Sequence, residues 1–165
     1  MISSAQVVLD ADFLSAFLKI ERLSIIRELF GLGLVFTPPA VYREISVTDL
    51  LPRLAAIPWI EVREPNAERA KALGRDESFA RLGSGEREAI ALCKELKDVV
   101  LLMNDNRAGQ VAVRLGIRVF SVPTFLLAYK DSGLASREQI ADLVIALEER
   151  DFYGFRKDVR DLLLA

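Results

Sequence analysis

Val99-Val100-Leu101-Leu102-Met103 is an unbroken apolar run that stops at Asn104-Asp105-Asn106. Arg107 to Leu115 then shows helical spacing, Gly116 halts it, and Ile117-Arg118-Val119-Phe120 is extended again. A continuous apolar run suits a strand covered on both faces, and strand, helix, strand in quick succession is the rhythm of a parallel sheet.

The same rhythm holds towards the N-terminus. Gln6-Val7-Val8-Leu9 ends at Asp10, and Phe13, Leu14, Phe17 and Leu18 recur at helical spacing. A second helix from about Leu23 to Phe30 is expected to stop at Gly31, Leu34-Val35-Phe36 to form a strand, and Pro38-Pro39 to open a helix through Ile45. Residues 48–83 are the least patterned. They suggest a helix near Leu50 to Ala56, an extended piece at Trp59 to Val62 and a polar helix from Asn66, and are read as a variable helical region, a lid or partner contact. Ser84 is the expected N-cap of a helix reaching about Leu96. Residues 123–165 form a helical tail: Pro123 to Lys130, Ser136 as a cap to about Glu149, and Arg156 to Leu164. The expectation is one α/β domain over residues 1–165, a three-layer α/β/α sandwich around a parallel sheet of four to five strands. Ligands of such sheets collect outside the carboxyl ends of the strands.

Composition narrows the chemistry. The 165 residues are 52 % hydrophobic and carry net charge −2, which excludes the uniformly basic surface of a protein that grips nucleic acid through phosphate neutralisation alone. Histidine is absent, which removes the usual general base and the commonest nitrogen ligand for zinc. Cys93, the only cysteine, lies in the apolar Ala89-Ile90-Ala91-Leu92-Cys93 and reads as an inert core thiol. Carboxylates are what is left, and they suit hard cations such as Mg²⁺ and Mn²⁺. Acids at positions 10 and 12, where a signal peptide needs an apolar core, and no apolar run of about 20 residues make the cytoplasm the expected location, with no membrane contact.

Two apolar strands end in acids, Asp10 and Asp105, which places both carboxylates on one edge of the sheet. Either alone also reads as a helix N-cap. Glu44 lies on the proline-opened helix, and Glu86 and Glu88 in the first turns of the helix at Ser84; taken singly these read as surface acids or helix-dipole partners. Carboxylates within about 4 Å of one another repel by about 4 kcal/mol per pair at an effective dielectric near 20, so a cluster must protonate or bind a cation.

Val8-Leu9-Asp10-Ala11-Asp12-Phe13-Leu14 resembles the first motif of PIN-domain ribonucleases, and Thr37-Pro38-Pro39-Ala40-Val41-Tyr42-Arg43-Glu44-Ile45 the second. Leu82-Gly83-Ser84-Gly85-Glu86-Arg87-Glu88-Ala89-Ile90 is similar to the third, and Leu101 to Arg107 with Val111-Ala112 and Leu115-Gly116-Ile117 to the fourth. The resemblance spans about residues 5 to 122, and the Gly85-Glu86-x-Glu88-Ala89-Ile90 form with the helical tail near Gly154-Phe155-Arg156 looks like the VapC-like branch of bacterial and archaeal PIN proteins. It implies a metal-dependent ribonuclease using Mg²⁺ or Mn²⁺. Asp10, Glu44, Glu86 and Asp105 would be catalytic metal ligands, with Asp12 and Glu88 as supporting or alternate ones. Of the two glutamates in the third motif, the apolar positions after it favour Glu86. It further implies the toxin of a toxin-antitoxin pair, with RNA as substrate, a small antitoxin protein over the cleft, and a homodimer; the apolar Phe13, Phe17, Ile25 and Leu29 read either as a surface for it or simply as core. Met103 and Asn104 depart from the pattern, where many members have a small hydroxyl residue and a further acid. That thinning supports the alternative of a non-catalytic PIN-fold binding or scaffold protein.

Arg107, with Asn104 and Asn106 beside it, is the candidate for substrate binding; Arg43, Arg53, Arg87 and Arg114 are further phosphate-contact candidates. Gly31-Leu32-Gly33 and Gly83-Ser84-Gly85 lack the spacing of phosphate loops and read as a helix stop and a helix start. Asp10-x-Asp12 also resembles the opening of haloacid-dehalogenase-type phosphatases, without their later motifs. Trp59, Tyr42, Tyr129 and Tyr153 lack the basic-aromatic interleaving of an RNA platform and read as core or interface.

Overall fold

The computed structural model describes residues 5–31 and 33–165. The elements in order are β1 (Gln6–Leu9), α1 (Ala11–Lys19), α2 (Ile25–Phe30), β2 (Val35–Thr37), α3 (Pro39–Ser46), α4 (Leu51–Ala55), β3 (Ile60–Val62) and α5 (Ala67–Leu73). They continue with α6 (Glu77–Ala80), α7 (Ser84–Glu95), β4 (Val99–Leu102), α8 (Asn106–Arg114), β5 (Arg118–Phe120), α9 (Val122–Asp131), α10 (Arg137–Arg150) and α11 (Lys157–Leu164).

The five strands form one parallel sheet in the order β3-β2-β1-β4-β5. The chain steps outward from β1 through β2 to β3, then returns to the other side of β1 for β4 and β5. The direction of winding therefore reverses between β1 and β4, which opens a crevice at their carboxyl ends. Val7 pairs with Val100 and Leu9 with Leu102, and Asp10 N–H donates to Leu102 O at 3.0 Å, so the two strands end level.

Alternation along the buried strands builds two cores. Val7, Leu9, Val35, Val100 and Leu102 face a layer that includes Phe13, Phe17, Ile26, Phe125, Val144 and Leu147; Val8, Phe36, Leu101 and Met103 face Phe79, Ile90, Leu92, Val111 and Ala112. The three-layer α/β/α expectation holds, and Cys93 is buried in the second core.

Of the two readings of Phe13, Phe17, Ile25 and Leu29, dimer surface or core, the fold shows core: all four are buried. Phe13 and Phe17 stack at 4.8 Å between centroids, and each meets Phe125 of α9 edge-on at 5.6 Å. The helical tail supplies the cover these rings need.

Two details differ from expectation. Gly83, not Ser84, is the N-cap of α7, because its carbonyl accepts the first helical bond, from Arg87 N–H at 3.0 Å. The extended piece expected at Trp59 to Val62 is the edge strand β3, but the short α6 is not among the expected elements; Asp76 caps it through Phe79 N–H at 3.0 Å while Phe79 itself enters the second core. Ser136 caps α10 in a reciprocal capping box with Gln139. Gly31 ends α2 at φ +86°, as expected; Leu32 of that motif lies outside the described residues. No described helix is long and apolar enough to cross a membrane.

Candidate active site at the sheet edge

Asp10 follows β1 at the bottom of the crevice, only 3 % exposed. It occupies the N-cap position of α1, yet its side chain makes no capping bond, and its Oδ1 is buried with no hydrogen-bond partner. An ionised carboxylate in that position is costly. Burial pushes its pKa up to about 7; the neighbouring Ala11 N–H opposes the rise, and the charges of Asp12, Glu86 and Glu44 add to it.

The other acids converge from four elements. Asp12, in the first turn of α1, is raised by burial, then by Asp105 and Asp151, with Lys19 opposing. Glu86, half-buried on α7, is raised by burial, then by Asp105 and Asp12, with Arg107 opposing and Glu44 adding. Asp105 caps α8, its Oδ1 accepting from Ala108 N–H at 2.8 Å. Glu44 projects from α3, exposed at the rim.

Packing of α3 on α7 places Glu44 and Glu86 on the same edge. Gly85 permits it, since a Cβ there would stand 3.3 Å from Val41 Cγ2 of α3. Glu88 locks the pair by accepting Ala40 N–H on Oε2 at 2.6 Å, supplying the cap that Pro38 does not give α3. The two glutamates of the third motif are thus separated by geometry: Glu86 faces the acids, and Glu88 holds the start of α3.

Asp10, Asp12, Glu44, Glu86 and Asp105 share one edge closely enough to feel one another's charge. Among the described residues, no three His, Cys, Asp or Glu side chains are close enough together to hold a metal ion as placed. The donor set nevertheless fits a hard cation, because it is all oxygen and its deepest member presents a buried carboxylate oxygen that no protein donor satisfies.

The residues beside Asp105 are occupied differently. Arg107 and Asn106 are exposed at the start of α8, whereas Asn104 is half-buried and its Oδ1 accepts twice, from Val122 N–H at 3.2 Å and Tyr153 Oη at 2.8 Å. Three of the further arginines are engaged in the fold. Arg53 donates to the carbonyls of Leu18 and Lys19, Arg87 to those of Ala80 and Leu82, and Arg114 forms a two-pronged pair with Asp76. Tyr129 is buried against Phe125, and Trp59 lies under Arg27.

Sequence reasoning reads Tyr153 only as core or interface and does not single out Asp151 or Phe152 before it. Asp151 is paired with Lys19 at 2.8 Å and contributes its charge to Asp12, and Tyr153 holds Asn104. The segment's only signal in the sequence is a break between two helical patterns far from the four motifs.

The family model DUF3368, a PIN domain, matches residues 6–164, from β1 to the end of α11. No curated protein matches the chain.

Proposed function

Because the chain belongs to the PIN domain family, we propose that it is a ribonuclease that hydrolyses phosphodiester bonds with Mg²⁺ or Mn²⁺ held at the β1–β4 crevice. The observation that carries the reading is Asp10: a buried carboxylate oxygen without a partner, at the switch point of a parallel sheet, amid the charges of Asp12, Glu44 and Glu86.

Asp10, Glu44, Glu86 and Asp105 would hold the ion, with Asp12 adjoining. When bound, it supplies acidification of a water and stabilisation of phosphoryl charge, a task histidine cannot share in this chain. The protein's own residues do the rest. Capping by Asp105 leaves one of its two carboxylate oxygens for the cleft, and Arg107, exposed beside Glu86, binds the substrate's phosphates with Asn106 next to it. Glu86 and Asp12, each raised from its ordinary value by burial and then by the charges of neighbouring acids, add negative charge that a cation would neutralise. The same reading makes the protein a cytoplasmic toxin whose cleft a small antitoxin protein covers, and any homodimer uses a surface other than the buried phenylalanines of α1.

The test is cleavage of structured and single-stranded RNAs with Mg²⁺, Mn²⁺ or EDTA by the wild type, Asp10→Asn and Asp105→Asn. Metal-dependent cutting lost in both variants supports the reading. A second reading, a PIN-fold binding protein without turnover, is favoured by the absence of three described acids at ligand spacing and by the structural use of Asn104. Stoichiometric metal binding by folded protein that cuts no RNA would select it.

A further inference from the structure

Phe152 is the most exposed large hydrophobic residue described, at 87 %, and its φ is +53°. The left-handed conformation just beyond a helix is where glycine is ordinarily used, and a bulky side chain there is strained. It is therefore costly in both backbone and solvation.

Its neighbours are firmly held. Asp151 and Tyr153 both donate their N–H groups to Leu147 O, at 3.0 and 3.1 Å. Asp151 is bridged to Lys19; Tyr153 packs on Phe155 at 4.6 Å and hydrogen-bonds Asn104 next to Asp105. The ring is thus presented on a rigid mount tied to the acidic edge.

Phe152 borders a groove of about 630 Å³, shared with Asn106, Ser121, Thr124, Tyr153 and Arg156. A second groove, of about 430 Å³, continues past Asp105 to Gln110 and shares Asn104, Asn106, Ser121 and Thr124 with the first. The track runs along the ends of β4 and β5 beside the acids: its shared middle is amides and hydroxyls, its second arm is walled mainly by Met103, Val113 and Val119, and Phe152 protrudes at the other end.

Resting on the ribonuclease reading, we infer that this track receives the single strand next to the scissile phosphate, with one base stacked on Phe152. Stacking adds to the phosphate contact of Arg107 a contact that needs no phosphate neutralisation, which suits a protein of net charge −2, since every base offers a π face whatever the surrounding charge. The shared amides and hydroxyls offer partners to base edges, the apolar wall and the ring offer faces for bases to lie on, and the run of the track past Asp105 favours a nucleotide strand over a protein segment.

The experiment compares full-length wild type, Phe152→Ala, Phe152→Gly and Phe152→Trp. Cleavage of a single-stranded oligoribonucleotide gives kcat and KM, and binding of 2-aminopurine-substituted oligomers is read in an Asp10→Asn background. Loss of the ring should raise KM roughly tenfold or more with little change in kcat, and abolish the fluorescence quenching at one base position. Phe152→Trp should retain both, while Phe152→Gly, which relieves the backbone, should be more stable than Phe152→Ala yet bind no better. Unchanged KM and quenching in a wild-type enzyme that cuts RNA would overturn the stacking assignment alone. Intact RNA kinetics with loss of self-association or of protein-partner binding would reassign the ring to a protein contact. No binding or cutting by the folded wild type would overturn the ribonuclease reading, and this inference with it.

Discussion

At the β4–α8 junction, Asp105 sits in extended backbone (φ −70°, ψ 122°) and accepts Ala108 N–H at 2.8 Å, completing the first turn of its helix. At the β1–α1 junction, Asp10 occupies the same position with similar backbone (φ −87°, ψ 163°), but its side chain caps nothing and is buried. Capping accounts for the presence of Asp105. It leaves Asp10 unexplained, because a buried acid that does not serve its helix is a net cost to folding. That difference is the reason Asp10 is put at the centre of the proposed site.

The largest expected effect is on activity. Asp10→Asn should lower metal-dependent RNA cleavage at least about a hundredfold, on the scale of removing a group that organises charge in a transition state. Asp105→Asn should also lose activity. Equal, full activity in either variant would break the functional half of the comparison.

Stability should move oppositely. The folded pKa of Asp10 is raised to about 7, so its contribution favours the folded state most below the ordinary 3.8 and is lost as pH rises through 7. Without divalent cation, the wild type should therefore weaken between about pH 4 and 8, by on the order of 4 kcal/mol at most. Asp10→Asn should remove most of that slope and be the more stable protein at pH 8; urea unfolding in EDTA at several pH values measures both. Added Mg²⁺ or Mn²⁺ should raise the wild-type Tm at pH 8 and leave Asp10→Asn nearly unmoved.

The smallest effects sharpen the structural half. Asp105→Ala should cost about 1 kcal/mol in urea unfolding through its lost cap, whereas Asp105→Asn should keep the cap and the stability. Glu88→Ala should cost about 1 kcal/mol as well, by freeing Ala40 N–H, and Glu88→Gln less. If Glu88→Gln lost activity as completely as Glu86→Gln, the separation of the two glutamates would be wrong.

Much of this site is legible in the amino-acid sequence. Strand-end acids at 10 and 105 follow from apolar runs that stop at a carboxylate, and the parallel sheet places those stops on one edge. Gly83-Ser84-Gly85 does start a helix, as its spacing suggests, but the reason for Gly85 depends on Val41 of another helix. Phe13 and Phe17 show where local reading fails: an apolar helical stripe has the same pattern whether it meets a second subunit or a later helix, and only the docking of Phe125 decides.

What the sequence by itself determined is set by short-range rules: alternating β and α elements, a core to cover both sheet faces, and a histidine-free set of acids at strand ends and helix starts. What only the tertiary structure decided involves partners distant in the chain. Asp105 caps and Asp10 does not; Glu86 faces the acids while Glu88 secures Ala40; and Phe152, at a helix end, stands beside strands from much earlier in the chain, held there by Tyr153 on Asn104 at a separation of 49 residues. Burial and charge coupling belong to the assembled fold, because each depends on which surfaces the chain brings together.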